Sequence, residues 1–92
     1  MENHQPDPDI KVRIERVQTG VRLEKRMLKV LKGLAEYLDL SLGDLLEGLV
    51  LHAIEGKPSP LNEELLEKAT ALKVVYNMDY DSSAAHNFEE IA

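Results

Sequence analysis

The chain has 92 residues, 43% hydrophobic and 30% charged, with 17 acids against 11 bases and a net charge of −6. This composition fits one small folded domain and excludes collagen-like and strongly disordered classes. The absence of cysteine removes disulfides, thiolate metal sites and thiol nucleophiles together.

No apolar run approaches the roughly 20 residues that cross a bilayer. The polar, acidic start MENHQPDPDI is unlike a secretory signal, so a cytoplasmic protein with no membrane partner is expected. The charge is unevenly placed. Residues 11–32 hold eight bases against Glu15 and Glu24, a net of +6, whereas from Gly33 onward three lysines face twelve acids, a net of −9. Local field outweighs total charge when a surface meets a polyanion, so the basic part is the region to watch.

Residues 1–9 carry two prolines, three acids and no aliphatic or aromatic side chain after the initiator, which predicts a flexible acidic arm. Residues 10–16 alternate, with Ile10, Val12 and Ile14 opposite Lys11 and Arg13. The parity then switches, because Val17, Thr19, Val21 and Leu23 oppose Gln18, Gly20 and Arg22, so a break is required near Glu15 and Arg16. The period of two over 17–23 predicts a short half-buried strand. Such a strand has no partner in the rest of the chain, and the simplest remedy is a second copy lying antiparallel to it.

A first helix is predicted over 24–38, its apolar stripe made by Met27, Leu28, Leu31, Leu34, Ala35 and Leu38. Its start offers no Ser, Thr, Asp or Asn cap, and Gly33 inside it costs about 1 kcal/mol relative to Ala. Ser41 opens a second helix, with Asp44 at the capping-box spacing. That helix carries Leu42, Leu45, Leu46, Leu49, Val50, Ala53 and Ile54, too many apolar residues for one stripe, as a helix buried by its own chain and by a partner requires. Gly56 ahead of Lys57 and Pro58 is its stop signal. Ser59 and Pro60 then predict the cap and first position of a third helix with a stripe of Leu61, Leu65, Ala69, Leu72 and Tyr76. After Asn77 the chain is acidic, and Ala84, Ala85, Phe88 and Ile91 suit a short amphipathic helix formed on a partner.

The run TGVRLEKRMLKVLKGLAEYLDLSLGDLLEGLVLHAI resembles the ribbon-helix-helix family of Arc-, MetJ- and CopG-type repressors and of many antitoxins. The resemblance implies a mainly α fold: a ribbon-helix-helix dimer with one short strand and two helices per chain over 10–56, followed by an acidic helical extension and tail over 57–92. It also implies a sequence-specific DNA-binding transcriptional regulator of bacterial or phage type, a homodimer whose ribbon enters the major groove. The base-reading positions carried over are Gln18, Gly20 and Arg22; Arg suits guanine, Gln suits adenine, and Gly20 departs from the family pattern because it offers no side chain. Phosphate contacts would come from Arg16 and Lys25 and from Ser41, Leu42 and Gly43 at the start of the second helix. Asp44 and Glu47 stand close by and would repel a phosphate.

Lys25, Arg26 and Lys29 suit either backbone contacts or a plain solvated face. His4, His52 and His86 show no ligand spacing, and Asp79 with Asp81 is too short a motif for a calcium loop. No nucleophile constellation or phosphate loop is present in the sequence, so no catalytic role, metal or cofactor is expected. Two further readings stay open: an antitoxin whose acidic C-terminal region takes a basic protein partner, and an interaction module of the same fold that has lost DNA binding.

Overall fold

The structure is a computed structural model, and it describes residues 11–91. The acidic arm, Ile10 and His4 lie outside the described residues. Among the described residues three α-helices follow one another: α1 (Lys25–Tyr37), α2 (Leu42–Ile54) and α3 (Glu63–Val75), with a 3-10 turn at Ser82–Ala84 near the C-terminal end. The core is small, made of Val30, Leu34, Ala35 and Leu45. Three of these four belong to α1, which is the central element, with α2 and α3 both packed on it.

The mainly α class holds, but the ribbon-helix-helix expectation is corrected. Among the described residues there is no strand or sheet, and residues 17–23 form neither helix nor strand. Alternation supplies an apolar face, but a strand exists only when a neighbour takes its backbone N–H and C=O groups. No other described segment pairs with this one. Ala69 and Leu72 of α3, and Tyr76 and Met78 just beyond it, pack against the core.

Each helix start and stop has a local cause. Glu24, not one of the usual short caps, caps α1: its carboxylate accepts hydrogen bonds from the amides of Arg26 (2.9 Å) and Met27 (3.2 Å). Ser41 caps α2 as its sequence signal indicates, its hydroxyl accepting from the Asp44 amide at 3.1 Å. The cap of α3 is Asn62, whose Oδ1 accepts from the Leu65 amide at 2.9 Å. Ser59 instead closes a turn onto the Leu61 amide, so the expected Ser59 cap and Pro60 first position are corrected.

All three helices stop in the same way. Asp39, Gly56 and Asn77 adopt left-handed φ values of 59°, 66° and 55°. The amide after each reaches back to a carbonyl in the last turn, Leu40 to Ala35 (2.9 Å), Lys57 to His52 (2.9 Å) and Met78 to Lys73 (2.8 Å). Such reversals satisfy carbonyls that the helix leaves unpaired, and Asp and Asn tolerate the left-handed region better than most side chains. Gly33 is explained by packing, since a Cβ there would lie 3.0 and 3.1 Å from the methyl groups of Leu72. The glycine lets α3 approach α1 closely.

Candidate nucleic-acid interface

Every residue from Lys11 to Leu23 is exposed, including the apolar members Val12, Ile14, Val17 and Val21. The segment therefore presents both its basic and its apolar side chains to solvent. It leads into α1, where Lys25, Lys29 and Lys32 are exposed at the i, i+4 and i+7 spacing of one helix face. At 1.5 Å per residue that stripe is about 10 Å long.

The arginines behave differently from the lysines. Arg16 donates to Glu47 on α2 at 2.9 and 3.2 Å and lies 3.5 Å from Asp44. The bond to Glu47 raises the Arg16 pKa, and its partner's carboxyl is held below its ordinary value by the same bond. Arg22 pairs with Glu90 at the far end of the chain. Arg26 donates to Glu24 at 3.2 Å, to Asp79 at 2.9 Å and to the Asn77 carbonyl at 3.0 Å, and its guanidinium stands 5.3 Å from the centre of the Tyr80 ring. Lys11, Lys25, Lys29 and Lys32 make no ion pair among the described residues, although the Lys29 ammonium sits 5.6 Å over the Tyr76 ring.

Glu24 is the knot at the start of α1. Besides capping the helix and pairing with Arg26, its carboxylate accepts from the Tyr80 hydroxyl. Burial alone would raise its pKa, yet the bonds from Tyr80, Arg26 and Met27 outweigh it and bring the carboxyl down to about 2. Burial and the bond to Glu24 together push the Tyr80 hydroxyl up to about 12. Phe88 packs edge-on to Tyr80, with ring centres 5.2 Å apart. Nothing in the local sequence marks this cluster, because Glu24 and Tyr80 are 56 residues apart.

The positions singled out in the sequence are thus distributed over two places. Gln18, Gly20 and Arg22 lie in the exposed segment; Gly20 has open space where a Cβ would be, so packing does not demand a glycine there. Lys25 follows at the first turn of α1. Ser41, Leu42 and Gly43 lie at the start of α2, where the Ser41 hydroxyl is taken by the Asp44 amide. Arg16 reaches this second place and answers the two acids expected to repel a phosphate. His52 Nδ1 lies 2.9 Å from its own helix's Gly48 carbonyl oxygen. Asp79 is taken by Arg26, and Asp81 caps the 3-10 turn through Ser83. Among the described residues no group of three or more His, Asp or Glu is placed to hold a metal, and no helix is long and apolar enough to cross a membrane. Compared with family models, with curated proteins and with solved structures, the chain matches none.

Proposed function

We propose that the chain is a DNA-binding regulator, not an enzyme, that acts in the cytoplasm as a homodimer and meets DNA with residues 11–32. The single observation that carries this reading is the concentration of a +6 charge in a segment whose first half is fully exposed and whose second half adds a lysine stripe along α1. Phosphates are met first by Lys25, Lys29 and Lys32, a sequence-independent attraction driven by counterion release. Base reading falls to Gln18 and Arg22 in the groove.

The dimer is supported by what one chain leaves uncovered. Only Leu45 of the apolar helix α2 is buried, while Val50, Leu51 and Ile54 are 50%, 59% and 76% exposed. A second copy covers such a face and sets two basic segments side by side.

The test is a titration of a fluorescent duplex from the gene's own upstream region at two salt concentrations. Binding at low salt that weakens on the order of a hundredfold at about 200 mM is expected. No retention at low salt removes the reading. Arg22→Ala is expected to abolish discrimination between that duplex and an unrelated one while leaving the dimer intact, and equal affinities of variant and parent count against the role of Arg22.

A further inference from the structure

Three of the four arginines of the proposed DNA face, Arg16, Arg22 and Arg26, are held by acids, and for Arg22 and Arg26 an acid comes from the C-terminal end. Asn77, in its left-handed conformation, turns the chain back after α3. Asp79 and Tyr80 then reach Arg26 and Glu24 at the first turn of α1, Phe88 rests on Tyr80, and Glu90 closes on Arg22. The strap has an anchored part and an exchangeable part. Glu24 is 22% exposed where it receives Tyr80, whereas the Arg22 and Glu90 side chains are 80% and 65% exposed and Asp79 is 82% exposed. Exposed pairs of this kind are weak and give way to a competing anion.

We infer that residues 77–91 form an intramolecular competitor for DNA, in which Asp79 and Glu90 occupy Arg26 and Arg22 in place of phosphate or base acceptors. The inference rests on the DNA-binding reading and names how that site is regulated. Lysines outside the strap attract any duplex, while the two arginines become available only when the duplex offers enough to displace the acids. The Tyr80 anchor keeps the strap at hand, so it re-closes when DNA leaves. The device therefore suppresses non-specific binding more than specific binding.

The experiment compares the full-length parent with Asp79→Asn/Glu90→Gln and with Glu63→Gln/Glu67→Gln, using a short mixed-sequence duplex at low salt. The second pair makes the same change in net charge in the first turns of α3, a helix of 13 residues whose other end leads to the strap. The strap variant is expected to bind about fivefold more tightly than the parent, and the control to differ by less than about twofold. Equal, measurable affinities for all three proteins overturn the strap and leave the DNA reading standing. No binding by any of them removes the DNA reading and the strap with it. Because the chain has no cysteine, Asn87→Cys gives a unique position for a spin label. The label is expected to broaden the amide signals of residues 21–25 in the free protein, and unbroadened signals there overturn the inference.

Discussion

The two flanks of α1 are built on opposite terms. On the α3 side a modest set of apolar contacts is fastened at both ends by polar bonds, Tyr37 donating to Glu64 at 2.7 Å at one end and the Glu24, Tyr80, Arg26 and Asp79 cluster at the other. On the α2 side the more apolar helix buries one residue, Leu45, and leaves Val50, Leu51 and Ile54 outside. An apolar sequence measures how much surface needs covering, not which surface its own chain covers. Directional bonds fix α3 and the tail in register, while the apolar surplus on α2 stays exposed, the face that the proposed dimer would cover.

The largest expected effect tests the shared centre. Leu34 is 3% exposed, and Leu34→Ala is expected to lower stability by about 2–4 kcal/mol in urea unfolding. A loss under about 1 kcal/mol would place the true core elsewhere. Next, Leu51→Asp with Ile54→Asp is expected to turn dimer into monomer, raising the dissociation constant on the order of a hundredfold in sedimentation while helical content is kept. Loss of helix in the monomer would mean that this face belongs to the chain's own core, and the contrast between flanks would collapse.

On the polar flank, Glu24→Ala is expected to cost about 2 kcal/mol, since the cap, the neighbouring Arg26 and the distant Tyr80 lose their acceptor at once. Its acid dependence sharpens the point. A carboxyl at about 2 in the folded chain and near 4.5 when unfolded contributes stability that is complete above pH 4.5 and is lost as pH falls towards 2. The parent is expected to weaken through that window, and Glu24→Ala to lose that part of the slope in unfolding measured at a series of pH values. The smallest effect concerns the close approach at Gly33. Gly33→Ala is expected to lower stability by up to about 1 kcal/mol, as crowding against Leu72 exceeds the gain in helix propensity. In a Leu72→Ala background the same change is expected to stabilise by about 1 kcal/mol, and a double-mutant cycle reads the difference.

Features with local causes were legible in the sequence. Ser41 and Gly56 act where their spacing puts them, and Leu34, Ala35 and Leu38 lie on the core side of α1. Val30 falls outside a single apolar stripe, because α1 is packed on two sides. Asn62 was legible in principle, being as good a cap as serine, but Ser59 with Pro60 gave the stronger-looking signal three residues early. The strand over 17–23 failed for a different reason: periodicity describes one segment, and pairing is a property of two. At the candidate interface the basic segment could be read from charge alone, whereas Glu47, Asp79 and Glu90, which reach Arg16, Arg26 and Arg22, are contributed by α2 and the tail, 31 to 68 residues away.

The bond between Glu24 and Tyr80 joins residues 56 apart, and Glu24 is also the group that starts α1. Closing so long a loop is a late event in folding, because its entropy must be met before the contact returns anything. The first turn of α1, capped locally by Glu24, therefore gains its last restraint once the opposite end of the chain has docked. The amides of Arg26 and Met27 should exchange with solvent at the pace at which Tyr80 leaves, which makes two backbone protons near the basic segment a clock for the motion of the C-terminus.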